Sequence, residues 1–488
     1  MNSNWTFLSS RVDHYIEENR TVLVWLLDRL ERGRTGAFVD TKFDAIERRD
    51  YADADGLRGP GITYGWIQGR ALEALVTHAA FFEHVDPHLA EQLDAAAIGL
   101  YDALESLVPT NGQAAFCYDK GGAPVAAASY REGGARTQSR EQFQRNGRKD
   151  SRKDSRENGP ENSTESGPDN GPDNGPDSGC ERGRNQAQGQ EIRTYSDVFI
   201  VKGRIAAAAR YRPTALASHL AVLDDIVAAI EQDRFLRDES RDIDARALAA
   251  EDEDYGPRMI LLGAAALLHR SDCAAHDTFS ARFVEHVLMH HLDTRSGLLA
   301  GAPGGSSCNV GHAIEFAGFA FEARRQHMTS ALADTLADLV ERHFDAGFKT
   351  PGIRLEVAIP SGQPTSKFRP WWCLPETIRA AAFAHAATGR SSMLDIWRRA
   401  DAAFFTHYRL PDDTVPVAYQ TLDDQGPVDH VPATPDLDPA YHTGLSLLGA
   451  IESVRLSGGQ AGDQADGPAS DQRGRQTGAP AAHADHLA

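Results

Sequence analysis

Lysine is scarce in this chain. It occurs only at Lys42, Lys120, Lys149, Lys153, Lys202, Lys349 and Lys367, and arginine supplies the rest of the positive charge. With 70 acidic against 50 basic residues, the formal net charge is −20. This excludes the basic surface that a phosphate backbone requires, so no nucleic-acid partner is expected. An acidic, lysine-poor surface suits a high-salt cytoplasm, and arginine-favouring codon usage accounts for it equally well. Cysteine is also sparse. Cys117, Cys180, Cys273, Cys308 and Cys373 are scattered, with no Cys-x-x-Cys pair. That spacing excludes a structural zinc knuckle and a disulfide scaffold. No activating base stands beside any of them, so they read as packing residues. Apolar runs such as 260–268 fall well short of the ~20 residues that span a bilayer. The start, Met1-Asn2-Ser3-Asn4-Trp5, has no basic segment leading into an apolar one. No membrane partner and no secretory signal are expected, and the cytoplasm follows as the location.

What is present falls into two kinds of sequence. From 133 to 190 the composition shifts to Arg, Asn, Ser, Gly, Glu and Asp, with a short Gly-Pro-Asp-Asn repeat and Phe143 as its one large apolar residue. Such a segment cannot bury enough surface to offset its ordering entropy, so a disordered insert is expected. It holds ten charges of each sign, so the acidity belongs to the rest of the chain. The stretch 457–488 reads as a similar tail. Residues 1–132 and 191–456 are then expected to form one catalytic domain.

That domain carries 3.6-residue apolar periodicity in twelve places: 15–34, 65–83, 88–107, 196–211, 214–232, 255–271, 276–292, 310–326, 328–344, 371–388, 390–406 and 440–455. Short links such as Tyr211-Arg212-Pro213 and Thr388-Gly389-Arg390 read as helical hairpins. Short β-like pieces with turn signals lie between pairs, as at 116–122. The even-numbered helices share one feature. Each opens with a polar, aromatic or ionisable cluster and then becomes smooth and rich in Ala and Leu. The clusters are 64–70 (Tyr-Gly-Trp-Ile-Gln-Gly-Arg), 195–197 (Tyr-Ser-Asp), 255–258 (Tyr-Gly-Pro-Arg), 309–315 (Asn-Val-Gly-His-Ala-Ile-Glu), 371–376 (Trp-Trp-Cys-Leu-Pro-Glu) and Tyr441-His442. Six hairpins arranged as a toroid predict an all-α, (α/α)6 barrel. Its inner helices would bring every cluster to one mouth, with the β pieces in the loops around it.

The clusters resemble the N-acylglucosamine 2-epimerase family of sugar epimerases and aldose–ketose isomerases. Trp66 to Arg70 is similar to its Trp-x-Gln-x-Arg. Asn309 to Glu315 is similar to its Asn-Pro-Gly-His-x-x-Glu, with Val310 in place of proline. Trp371 to Glu376 is similar to its Trp-Trp-Pro-x-x-Glu, and Tyr441-His442 to its C-terminal aromatic-His pair. The likeness runs from about residue 10 to 456, around the insert. Three departures stand out. Thr443-Gly444-Leu445 follows the last histidine, without the family's frequent arginine. Tyr195-Ser196-Asp197 replaces the fourth-helix histidines of several branches. The loop 298–303 has no acidic residue.

The resemblance implies removal of the C2 proton of an open-chain aldose, acidified by its C1 carbonyl, with no cofactor and no metal. Imidazole suits this base, since its pKa of ~6.5 lies near neutrality. His312 is expected at a helix start, whose partial positive charge disfavours imidazolium. Glu315 lies one turn on, placed to orient it or to hold a hydroxyl. His442 is expected to face His312 across the mouth. Arg70 would stabilise the developing enediolate. Glu376, Trp371, Trp372, Tyr64, Asp197 and Arg258 are the candidate substrate contacts. The other histidines, including His290 and His291, read as surface or packing residues. Two bases on opposite faces of C2 give a 2-epimerase, whereas one base shuttling from C2 to C1 gives an aldose–ketose isomerase. A glycoside hydrolase using Asp197, Glu315 and Glu376, or a non-catalytic sugar binder on the same scaffold, are the readings from other classes. The expected partner is a small sugar, with a homodimer as the candidate assembly.

Overall fold

The computed structural model describes residues 3–33, 35–109, 112–125, 191–412 and 414–465. The insert expected at 133–190 and the tail beyond residue 465 lie outside these, as does Cys180. Among the described residues there are twelve long helices: α1 (Ser3–Glu31), α2 (Gly65–Phe82), α3 (Pro87–Leu107), α4 (Tyr195–Tyr211), α5 (Leu216–Glu231), α6 (Gly256–Arg270), α7 (Ser280–His290), α8 (Val310–Ala323), α9 (Ser330–Gly347), α10 (Cys373–Thr388), α11 (Ser391–Ala403) and α12 (His442–Ala465). They match the twelve periodic segments one for one.

Even-numbered helices form the inner ring. In order, α2, α4, α6, α8, α10 and α12 each pack on the next, and α12 returns to α2. Outside them, α3, α5, α7, α9 and α11 each cover the inner helix that precedes them, and α1 covers α12. The chain is an (α/α)6 barrel. Burial follows the ring. Every residue of α6 from Gly256 to Leu268 is buried, because an inner helix has neighbours on all sides. The outer helix α9 buries a stripe including Ala333, Leu336, Ala337, Val340 and Phe344, spaced three and four apart.

Close approach in the inner ring depends on glycine. A Cβ on Gly69 of α2 would lie 2.2 Å from the backbone of Phe199, and one on Gly203 of α4 would lie 2.6 Å from the Gly69 carbonyl oxygen. The two helices therefore touch backbone to backbone.

Two helices exceed their sequence boundaries. α1 starts at Ser3 and not near residue 15, because its polar first half finds a tertiary partner. Phe7 meets Trp397 of α11 edge to face, and Tyr15 donates to Asp401 at 2.8 Å while accepting from the Trp397 indole at 2.7 Å. α12 continues to Ala465, past the expected end at 455. Segment 213–231, which includes α5, is long and apolar enough by length and composition to cross a membrane. Here it lies in the outer ring with Leu220, Leu223, Ile226, Val227 and Ile230 turned inward.

Short strands frame the mouth. Thr63–Tyr64 enters α2 and pairs antiparallel with Cys117–Tyr118. Ser307–Asn309 enters α8 and pairs with Glu356–Ala358. Arg369–Pro370 leads to α10 and pairs with Thr421–Asp423. All four described cysteines are buried and free.

Candidate active site

Residues of the α8, α10 and α12 clusters meet at the amino-terminal ends of these inner helices, with Arg70 of α2 beside Tyr441. Trp372, half-buried, is the centre of the group. Its ring lies 5.2 Å from His312 and 5.9 Å from His442, measured between centroids and tilted 34° to each. Trp371 meets His442 edge to face at 5.7 Å.

His312 is the third residue of α8, and its N–H donates to the Asn309 cap at 3.1 Å. Gly311 before it has no room for a side chain, since a Cβ would lie 2.5 Å from both Cys373 and Trp372. That contact seats α8 against the start of α10. The His312 imidazole is pushed down to about 4, mainly by burial, with smaller contributions from His442 and Arg70 and opposition from Asp254. It is neutral as expected, but burial is the leading cause, ahead of any charge nearby.

His442 begins α12. Asp438 holds that turn, accepting the N–H groups of Tyr441 at 2.7 Å, His442 at 3.0 Å and Thr443 at 2.6 Å. His442 Nδ1 lies 2.9 Å from Glu376 Oε1. With Nδ1–H donated there, Nε2 carries the free lone pair. Burial lowers the His442 pKa, outweighing the hydrogen bond to Glu376. Burial raises Glu376, but Arg379 at 3.3 Å and His442 outweigh it, so Glu376 titrates below its ordinary range.

Glu315 behaves differently. It is buried, its Oε1 meets no hydrogen-bond donor among the described residues, and burial plus the nearby Glu376 raise its pKa to about 8. Donor atoms of Glu315, Glu376 and His442 lie within 4.8 Å of one another. The sequence reading placed these clusters at one mouth, and the ring sets their distances by packing α8, α10 and α12 together.

Arg70 is half-buried. Its guanidinium lies 4.1 Å from the Phe199 ring centroid, 5.3 Å from Trp66 and 5.4 Å from Tyr441. Among the described residues it has no carboxylate at ion-pair distance. Burial lowers its pKa against the pull of Tyr441 and Glu315. A cation held on aromatic faces, with no carboxylate claiming it, is free to meet an anionic oxygen.

Three candidates have other contacts. Tyr64 donates to the Leu57 carbonyl at 3.1 Å and packs on Phe116. Asp197 belongs to the α4 capping box with Thr194 and accepts the Ala114 N–H at 2.8 Å. Arg258 lies over Phe283 of the outer helix α7, 5.9 Å from the ring centroid.

Sequence reading missed Asp438, Arg379 and Lys202. Asp438-Pro439 is a cap signal ahead of the last helix, and Arg379 lies one turn from Glu376. Lys202 interrupts an apolar run. Its Nζ lies 2.6 Å from the Tyr441 hydroxyl and 3.1 Å from Glu73 Oε2, fully buried. Beneath this layer a cavity of about 210 Å³ opens between the carboxyl-terminal halves of the inner helices, lined by Glu73, Arg270, Glu322, Arg379 and Tyr441.

Residues 261–444 match the family model of N-acylglucosamine 2-epimerase (GlcNAc 2-epimerase). That span includes His312, Glu315, Trp371, Trp372, Glu376 and His442, while Arg70 precedes it. Among curated proteins no sequence relative matches. Among solved structures, cellobiose 2-epimerase from Bacillus thermoamylovorans superposes with a TM-score of 0.61 at 13% identity, covering 91% of this chain and 99% of that one. D-mannose isomerase gives a TM-score of 0.60 at 12% identity, over 93% and 99%. A sugar epimerase from a ruminal bacterium gives 0.57 at 13% identity, over 90% and 98%. At these identities the likeness shows the fold.

Proposed function

Starting from a chain whose residues 261–444 match the N-acylglucosamine 2-epimerase family model, we propose that this protein epimerises a free aldose at C2 with His312 and His442 as the paired bases. The observation that carries this reading is the placement of two imidazoles, both kept neutral by burial, beside one ring, that of Trp372. One base removes the C2 proton, giving an enediolate. The other delivers a proton to the opposite face. Arg70 supplies charge-assisted hydrogen bonds to the developing oxyanion. Glu376 fixes the His442 tautomer, and protonated Glu315 offers a hydroxyl hydrogen to the sugar. Trp371 and Trp372 present flat faces to sugar C–H groups. The reading needs no cofactor. It needs no metal ion either, since two imidazole bases suffice for the proton transfer. Residues 1–132 and 191–456 would form the single catalytic domain, working in the cytoplasm as a monomer or homodimer.

The same site serves an aldose–ketose isomerase if one histidine carries the proton from C2 to C1, and the likeness to D-mannose isomerase favours keeping this second reading. A glycoside hydrolase fits less well. It needs two carboxyl groups free to act across the scissile bond, whereas Glu376 is engaged by Arg379 and His442.

The test is proton NMR of glucose, mannose, fructose, N-acetylglucosamine, N-acetylmannosamine and cellobiose incubated with the protein in D2O. Deuterium entering C2 with formation of the 2-epimer is the expected result. Ketose formation selects the isomerase, and release of a reducing sugar from cellobiose selects hydrolysis. Absence of exchange in every sugar leaves a binder.

A further inference from the structure

A second gathering of histidine and carboxylate lies outside the mouth cluster. A carboxylate oxygen of Glu253 and ring nitrogens of His286 and His291 lie within 4.8 Å of one another. Glu253 comes from the acidic run 251–254 ahead of α6. His286 is on the last turns of α7, and His291 directly follows that helix. The two histidines lie 3.1 Å and 3.8 Å from the same Glu253 oxygen through their Nε2 atoms.

His291 makes this more than a polar patch. Its side chain is 0% exposed. Its Nδ1 lies 3.1 Å from the Ala300 carbonyl oxygen, which only an N–H can satisfy. That bond fixes the tautomer and leaves Nε2 as a bare lone pair. The lone pair is buried, meets no hydrogen-bond donor among the described residues, and faces a carboxylate. A buried lone pair turned towards a carboxylate, here the exposed one of Glu253, favours a cation between them. The backbone carbonyl behind the ring is the support that orients metal-binding imidazoles elsewhere.

We propose that Glu253, His286 and His291 form a binding site for a divalent transition ion of the zinc type. Two imidazoles and one carboxylate are a set such ions accept, with a further position for water or a fourth side chain. His290, exposed and with its ring 4.6 Å from that of His286, is placed to supply it. The guanidinium of Arg258 acts on both Glu253 and His286, so it opposes the ion and limits affinity. A bound ion would tie the acidic run to the end of α7. Asp254, which acts on His312, is the next residue, and the Tyr255 ring lies 5.3 Å from His291. The ion would thus brace one wall of the mouth without entering it.

The experiment is titration of the full chain, stripped by chelator, with Co2+ followed by visible absorption and by competition with Zn2+. The expected result is one equivalent that His286→Gln, Glu253→Gln and His291→Gln each weaken at least tenfold, that Glu376→Gln leaves intact, and that Arg258→Met tightens. His291 is buried and its variant risks misfolding. His286 and Glu253 are more accessible, so their variants decide the matter. If both titrate as the wild type does, or if Glu376→Gln removes every equivalent, the site is refuted. Binding is read without turnover, so this outcome is independent of the sugar chemistry.

Discussion

The mouth cluster and the rim cluster use the same side chains in opposite settings. Each brings histidine and glutamate within 4.8 Å. At the mouth the carboxylates are buried beside the cations of Arg70 and Arg379, and burial keeps both imidazoles neutral. At the rim Glu253 is exposed, one imidazole is wholly buried, and Arg258 is the nearby cation. Donor geometry alone therefore does not separate the proposed proton-transfer site from the proposed ion-binding one. Surrounding charge and the direction of the free lone pairs do.

The largest expected effect tests that division directly. His312→Ala and His442→Ala each lower turnover at least ~100-fold, the low end of a general acid–base contribution. His286→Gln leaves turnover unchanged. C2 deuterium uptake measured separately from each epimer sharpens the result, since a variant lacking one base still exchanges the proton on the other face. Near wild-type turnover in both alanine variants would break the paired-base reading. Loss of exchange in both directions for His312→Ala alone would select the one-base isomerase.

Next in size is Arg70. Arg70→Met lowers kcat by ~100-fold, as for loss of a single oxyanion donor, with KM less affected. Arg70→Lys does not restore it, because a point charge lacks the planar fork that stacks on Phe199. Steady-state kinetics on the sugar identified by NMR decides this. A KM effect alone would make Arg70 a ground-state contact.

A pH effect of intermediate size follows from Glu315. Its folded pKa is raised to about 8, so it is neutral at pH 7 and ionises above that. The new negative charge opposes the enediolate, and turnover falls on the alkaline side of pH 8. Glu315→Gln, which cannot ionise, keeps a flat profile there. The linkage has the same origin. The unfolded carboxyl loses its proton near its ordinary value of 4.5, so the wild type loses stability relative to Glu315→Gln as pH rises from 4.5 to about 8. Denaturant midpoints across that range measure it, and parallel curves would refute the raised value.

The smallest effect belongs to the rim. Chelation lowers the melting temperature of protein purified with zinc and leaves turnover unchanged, since a ligand that binds only the folded chain stabilises it by mass action. Abolished turnover, restored by one divalent ion, would move the metal to the mouth and overturn the division.

Much of the mouth was legible in the sequence because its residues sit on helix starts. Trp66 to Arg70, His312 with Glu315, and Trp371 to Glu376 each occupy one turn, so their periodicity and cap signals place them together. The rim was not legible. Glu253 and His286 belong to different elements, and no spacing rule links them. Tyr64, Asp197 and Arg258 show the converse. They stand at the same helix starts as the other candidates, but their contacts are to Leu57 and Phe116, to the α4 cap, and to Phe283. A helix start gives position along the axis and leaves open the direction in which a side chain leaves it.

By itself, the sequence determined the twelve helices, their alternation of inner and outer faces, and the end of the barrel that carries polar residues. Those properties are local, since 3.6-residue periodicity, caps and turn residues act within a few positions. Closure decided the rest. The return of α12 to α2 places Tyr441 over Arg70 and Lys202, the packing of α8, α10 and α12 sets Glu315 beside Glu376 and His442, and burial in that closed space shifts His312 and Glu315 away from their ordinary charge states. Desolvation depends on every neighbour at once, and only the assembled ring supplies them.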